Sequence, residues 1–125
     1  MSKPQEKLPA IVADAMGWAL EKKTLDPALL DVRGLCAYAD FLLIGGGRTG
    51  RQVRAIAESI QRGMRADGHR PLGAEGADEG RWVLLDYGEV VVHIFQDELR
   101  DFYDLESLWV EAPRVPLAVP PKSPP

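Results

Sequence analysis

The chain has 125 residues, of which 46% are hydrophobic and 27% charged, which is enough for one compact domain and fewer than two domains normally require. Its net charge of -4 argues against a protein that grips nucleic acid mainly through phosphates, and its single cysteine, Cys36, excludes an internal disulfide and a cysteine-rich zinc site. No window is long and apolar enough to span a membrane, and the first residues lack the apolar core of a secretory signal, so we expect a soluble cytoplasmic protein.

Two amphipathic helices are predicted in the first half of the chain. From Leu8 to about Lys22, apolar residues recur at the spacing of one helical face. Thr49 is placed to cap a second helix that stops at Gly68. The inward stripe of this helix is Val53, Ile56, Ala57, Ile60 and Met64. Its outer face carries Arg54, Glu58 and Arg62, whose spacing is typical of solvated surface pairs.

Strands and a terminal helix fill the remainder. The predicted elements are strands at 29–32 and 41–44, an edge strand within 69–75, a hairpin from 82 to about 95, a helix at 97–103 and a helical turn at 105–109. Six prolines among the last thirteen residues predict a disordered or extended tail over 113–125. The sequence therefore predicts a single α/β domain over residues 1–112, with a mixed sheet of about five strands.

The hairpin has two faces of very different composition. A two-residue loop at Tyr87-Gly88 would place Trp82 across from His93. One face is then uniformly apolar, with Val83, Leu85, Val90, Val92 and Ile94. The other face mixes apolar and polar side chains, namely Trp82, Leu84, Asp86, Glu89, Val91 and His93. Because unpaired charge is costly to bury, this second face is the candidate binding surface, unless the terminal helix covers Trp82 and Leu84 as ordinary core.

The sequence gives little indication of a catalytic or metal site. No cysteine or carboxylate stands at metal-ligand spacing beside His93, so a histidine packed against Trp82 is the simpler interpretation. The run Gly45–Gly50 before the second helix would suit a phosphate and is the strongest indication of an enzyme. It lacks a Walker ending, and nucleotidyl transfer would also need clustered carboxylates for magnesium. Glycines that make a tight turn are therefore favoured, and we expect no cofactor.

The same stretch resembles the Iojap-like ribosomal silencing factor family, RsfS. The family signature matches Trp82, Leu85, Asp86, Gly88, the valines before His93, His93, Arg100, Tyr103, Leu105-Glu106 and Leu108-Trp109. Earlier matches are Asp31-Val32, Ala39–Phe41, Arg51–Val53, Ala55–Ala57, Pro71–Gly73 and Glu75-Gly76. The similarity spans roughly residues 8 to 110. It departs from the family in the loop after the second strand, where Gly45–Gly50 is richer in glycine and Thr49 replaces a serine.

The resemblance implies a non-enzymatic function. Family members bind the large ribosomal subunit through ribosomal protein L-fourteen and block joining of the small subunit, which represses translation. The implied fold is similar to the nucleotidyltransferase sheet without its catalytic apparatus, and homodimers are familiar in the family. Arg100 and Tyr103 then join the second hairpin face as candidate partner-binding residues. The alternatives are a nucleotidyltransferase-like enzyme that uses the glycine-rich loop, against which the missing carboxylates count, and a direct RNA binder, against which the negative charge counts.

Overall fold

The computed structural model describes residues 8–22 and 24–116. Within that part of the chain the helices are α1 (Ala10–Glu21), α2 (Gly50–Ala66), α3 (Asp97–Tyr103) and α4 (Leu105–Leu108). The strands are β1 (Leu25–Asp31), β2 (Phe41–Gly47), β3 (Gly73–Glu75), β4 (Trp82–Asp86), β5 (Val90–Gln96) and β6 (Arg114–Val115). None of the helices in these ranges combines the length and hydrophobicity needed to cross a membrane.

All six described strands belong to one sheet in the order β3-β4-β5-β2-β1-β6. The central pair β2 and β5 is parallel, and the other pairs are antiparallel, which confirms the predicted mixed α/β sheet. The sixth strand arises because Arg114 and Val115 pair with Leu30 and Leu29. Residues 114 and 115 of the predicted tail therefore pair with the sheet, residues 117–125 lie outside the described part, and the domain boundary at residue 112 stays a prediction.

One face of the sheet is covered by α1 and α2. The predicted inward stripe of α2 is fully buried, and Thr49 caps this helix as predicted, with its hydroxyl accepting from the Gln52 amide at 3.1 Å. The uniformly apolar hairpin residues also lie in this layer with no exposed surface. Each Å² of apolar surface removed from water stabilises the fold by about 25 cal/mol. Because this layer contains most of the buried apolar residues, it is the principal source of stability.

The glycines after the second predicted strand do not form the expected turn. Gly45, Gly46 and Gly47 extend β2 and pair with Ile94, Phe95 and Gln96 of β5. A Cβ at Gly45 would overlap the Thr24 side chain, and one at Gly46 would overlap the Asp97 carboxylate. Close approach of neighbouring side chains therefore explains these glycines, and they do not form the loop that the enzyme alternative requires.

The hairpin register differs from the predicted one by two residues. The Tyr87 amide donates to the Val90 carbonyl, so the two-residue loop is Gly88-Glu89 instead of Tyr87-Gly88. Gly88 has φ +85° and donates its amide to Asp86 Oδ1 at 2.8 Å, which holds the left-handed conformation that glycine readily adopts. Trp82 consequently lies opposite Phe95. A shift of two residues leaves each side chain on its predicted face.

Candidate interaction site

The candidate site lies on the sheet face opposite α1 and α2, which we call the Trp82 face. Its centre is an aromatic cluster in which the Trp82 indole stacks on Phe95 at 4.7 Å between ring centroids. The Tyr103 ring, from α3, lies 5.1 Å from the indole. Trp82 Nε1 also donates to His93 Nδ1 at 3.1 Å. Two ring contacts and a hydrogen bond therefore fix the indole in one orientation.

The predicted site residues differ in their access to solvent. Val91 and His93 are buried, with 3% and 6% of their surface exposed, because β5 lies between β4 and β2 in the sheet. Trp82 and Leu84 are partly buried, and Tyr103 is 49% exposed. His93 thus supports the indole from within the sheet and Val91 lies farther along β5, opposite Asp86, whereas the indole and the phenol ring reach the surface.

The C-terminal helices cover part of this face. A second apolar cluster includes Leu42, Ile44, Val91 and Phe95, with Trp82 and Leu84 packed against it together with Leu99, Leu105 and Trp109. The interpretation of Trp82 and Leu84 as core under the terminal helix is therefore partly right. Neither α3 nor α4 contributes a buried residue, so the cover over this face is thin.

Burial determines the protonation state of His93. Removal from water disfavours the imidazolium and lowers the pKa of His93 to about 4. The ring is neutral at physiological pH, and its Nδ1 is the acceptor for the Trp82 indole. Among the described residues, no group of three or more His, Cys, Asp or Glu side chains could hold a metal ion.

Asp86 and Glu89 take positions in the hairpin turn. Asp86 accepts the Gly88 amide, and its side chain is partly buried. Glu89 occupies the loop and is exposed, instead of lying across the ladder from Asp86 as predicted. Its carbonyl accepts from the amides of Asp40 and Phe41, which ties the turn to the start of β2. Asp86 therefore shapes the turn, and the Glu89 side chain is exposed in the hairpin loop, at the other end of β4 from Trp82.

Arg100 ties the terminal helices to the sheet. Its guanidinium donates to both Glu106 carboxylate oxygens at 3.2 Å and to the Leu25 carbonyl at 3.2 Å. Arg114 of β6 reaches the same carboxylate at 2.9 Å. Burial alone would raise the pKa of Glu106, but the hydrogen bonds from Arg100 and Arg114 outweigh it and lower this pKa. Arg100 thus positions α3, and with it the Tyr103 ring.

Two features of the Trp82 face were not predicted from the sequence. Three large apolar side chains, Phe102, Leu108 and Val110, are 72% to 82% exposed around the terminal helices. A pocket of about 250 Å³ also opens beside the indole, lined by Gly76, Glu79, Arg81, Trp82, Leu99 and Tyr103. The adjacent aromatic residues at the end of α3 could have indicated the exposed apolar side chains. The pocket depends on how the loop before β4 meets α3, which the sequence does not show.

The fold and the site define a class of protein: a small α/β domain with a partly exposed aromatic cluster on one face of its sheet. A family model described as "Ribosomal silencing factor during starvation" matches residues 5–124. The chain is 43% identical over 93 residues to the ribosomal silencing factor RsfS of Bacillus subtilis, covering 74% of this chain and 79% of the relative. The chain therefore belongs to the ribosomal silencing factor family.

Two further comparisons agree with this assignment. A crystal structure of a Chromobacterium violaceum protein superposes with a TM-score of 0.78 at 31% identity, covering 99% of this chain and 92% of that one. A more distant mouse relative is 26% identical over 92 residues, covering 71% of this chain and 40% of its own length. Its name is "Mitochondrial assembly of ribosomal large subunit protein 1". The family fold thus extends over nearly all of the chain.

Proposed function

We propose that this protein binds the large ribosomal subunit through ribosomal protein L-fourteen and sterically blocks joining of the small subunit, thereby repressing translation in the cytoplasm. Membership of a family named for ribosomal silencing during starvation supports the ribosomal role. The mouse relative's name supports the large subunit as the binding partner. The choice of L-fourteen follows from the family resemblance. In this proposal the protein acts without catalysis, and the family resemblance suggests that it can also form a homodimer.

The observation that carries the proposal is the partly exposed aromatic cluster of the Trp82 face. Tryptophan and tyrosine supply much of the binding energy at protein interfaces because they bury a large area and lose little conformational freedom. Here Phe95, His93 and Tyr103 hold the indole in place before any partner arrives. The pocket beside the indole provides space for a side chain of the partner.

The charges around the cluster favour a basic partner. Residues 97–111 contain six acidic side chains and one basic side chain, Arg100, which gives this segment a net charge of -5. Among them Glu98, Asp101, Asp104 and Glu111 are exposed. An acidic rim around an aromatic centre complements a basic ribosomal protein and accelerates their approach. Salt is expected to weaken this association.

Trp82→Ala tests the docking face directly. We expect it to lower affinity for purified large subunits by about 30-fold or more, as for an interface residue worth at least about 2 kcal/mol. Tyr38→Ala is the matched control, because Tyr38 is an aromatic residue that is 66% exposed and precedes β2, at the other end of the sheet from Trp82. Sedimentation with large subunits gives the affinities, and circular dichroism verifies the fold. Unchanged affinity in a folded Trp82→Ala variant would remove the Trp82 face from the proposal.

The steric step requires a second measurement. Large and small subunits are mixed with or without the protein, and joined ribosomes are resolved on a sucrose gradient. We expect the wild-type protein to reduce joining of the two subunits, and we expect joining to be normal with Trp82→Ala. Both proteins are also tested for capture of purified L-fourteen. No binding to large subunits would refute the function as a whole. Binding with undiminished joining would refute only the steric mechanism.

A further inference from the structure

Helix α2 presents a row of arginines on its solvent side, which we call the α2 stripe. Four arginines recur at the spacing of one helical face, all of them exposed: Arg51, Arg54, Arg62 and Arg65. At 1.5 Å per residue, the stripe is about 21 Å long. One acidic side chain of the helix, Glu58, lies within it, and Asp78 of the loop before β4 lines the same pocket as Arg51 and Arg54. The opposite side of the same helix is buried against the sheet, so the stripe is held rigidly.

The net charge of the whole chain is negative although the surface of α2 is basic. Residues 48–70 contain six arginines and two acidic side chains, a net charge of +4, whereas the whole chain carries -4. The remainder of the chain therefore carries -8. The acidic α3–α4 segment lies on the other face of the sheet, so the two charges are separated by the sheet itself. Whole-chain charge thus argues only weakly against binding of an anionic partner at α2.

Most of these guanidinium groups are not engaged within the protein. Among residues 8–22 and 24–116, neither Arg51 nor Arg65 forms an ion pair. Arg62 approaches Glu58 at 3.7 Å, but both side chains are 74% exposed, and such a pair contributes little. Arg54 donates weakly to the carbonyls of Asp78 and Glu79, at 3.4 and 3.3 Å. Arg51, Arg62 and Arg65 are therefore available to bind an external anion, whereas Arg54 is partly held by the loop before β4.

We propose that the α2 stripe binds the phosphate backbone of double-helical RNA. Guanidinium groups form paired hydrogen bonds with phosphate oxygens, and a straight row of them follows a regular backbone. No large hydrophobic side chain of α2 is exposed, so the stripe lacks the apolar anchors that an acidic protein partner would need. It also lacks an aromatic platform for stacking on single-stranded bases. Recognition is therefore through phosphates and independent of sequence.

The two binding faces lie on opposite sides of the sheet, so both can be occupied at once. The proposal for α2 does not depend on the Trp82 face, since it follows from the charges of α2 alone. On a ribosome it would place the stripe against exposed helical RNA while the Trp82 face holds a protein. Because the rest of the chain is acidic, we expect binding of isolated RNA to be weak and strongly dependent on salt.

The test measures fluorescence anisotropy of a labelled 12-base-pair RNA duplex titrated with the full chain, from 25 to 150 mM salt. We expect Arg51→Gln with Arg65→Gln to reduce the slope of log affinity against log salt by roughly 1.5 and to weaken binding about tenfold. The matched control, Arg33→Gln with Arg114→Gln, removes two exposed charges, one just after β1 and one in β6, and should change binding less than twofold. Glu58→Gln should strengthen binding about threefold, a gain that misfolding cannot produce.

Three results would overturn the proposal. The first is absence of RNA binding at 25 mM salt. The second is an equal loss of RNA affinity in the control double variant, because that would indicate that binding responds to net charge alone. The third is equal affinity for polyglutamate of the same length, which would indicate an acidic protein as the partner. Trp82→Ala should retain RNA binding, so failure of the α2 proposal and failure of the docking function give different results.

Discussion

The two faces of the sheet are covered by helices of very different size and composition. On one face, α2 alone contributes six buried residues, and Trp18 of α1 packs against Gly63 of α2 so closely that a Cβ there would overlap the indole. On the other face, α3 and α4 are short and contribute no buried residue. Aromatic contacts and a network of ion pairs around Glu106 hold this second cover. The tightly packed face is thus the more stable layer, and the thinly covered face leaves large apolar side chains exposed.

The largest expected contrast lies between two adjacent leucines of β4. Leu85 faces α1 and α2 with no exposed surface, whereas Leu84 is partly buried on the Trp82 face. We expect Leu85→Ala to lower the free energy of unfolding by about 3 kcal/mol and Leu84→Ala by about 1 kcal/mol. Urea denaturation of both variants measures the difference. Equal costs would show that the second face is packed as tightly as the first.

The protonation of His93 gives the second test, with an effect of about 2 kcal/mol. Its folded-state pKa of about 4 lies below the ordinary value of 6.5, so the unfolded chain takes up the proton first as pH falls. The stabilisation is complete above about pH 6.5 and decreases toward pH 4. We expect the free energy of unfolding to fall by about 2 kcal/mol between pH 7 and pH 5 because of this residue.

His93→Asn provides the control for that measurement. Asparagine can still accept a hydrogen bond from the Trp82 indole, but it does not titrate. Urea denaturation of both proteins at pH 7 and pH 5 separates the contribution of His93 from that of the carboxylates. If the variant loses as much stability as the wild type over this range, the buried histidine is not the cause.

The sequence predicted the faces of the hairpin but not its register. Side chains alternate with a period of two, so an error of two residues leaves Trp82 and Leu85 on their correct sides. The register depends on which residues occupy the loop, and that depends on the positive φ of Gly88 and its hydrogen bond to Asp86. Neither is encoded in the hydrophobic pattern.

Other features depend on contacts between distant segments. The strand at Arg114-Val115 is too short for a periodic signal, and Pro113 beside it indicated the end of regular structure. From the sequence alone, Gly46 is predicted to form part of a turn. The structure shows that the Asp97 carboxylate lies against it and leaves no room for a Cβ. The burial of His93 follows from the central position of β5, which only the strand order reveals. The role of Trp82 in binding stays a prediction.

The smallest expected effect concerns the attachment of the terminal helices. Arg100→Gln removes the hydrogen bonds to Glu106 and to the Leu25 carbonyl. Because the Arg100 side chain is only 12% exposed, we expect a cost of about 1 kcal/mol in the free energy of unfolding. Arg62→Gln is the control, since both side chains of its pair with Glu58 are 74% exposed and this pair contributes little.

Hydrogen exchange shows where the loss from Arg100→Gln occurs. If the two covers of the sheet are independent, amide protection falls in α3 and α4 and is unchanged in α2, because the Glu106 network does not reach the tightly packed face. Loosening α3 also releases Tyr103 from the indole, and we expect this loss of position alone to weaken binding to large subunits severalfold. An equal fall of protection in α2 would mean that the two faces unfold as one unit. Their division into a stable layer and a recognition layer would then be wrong.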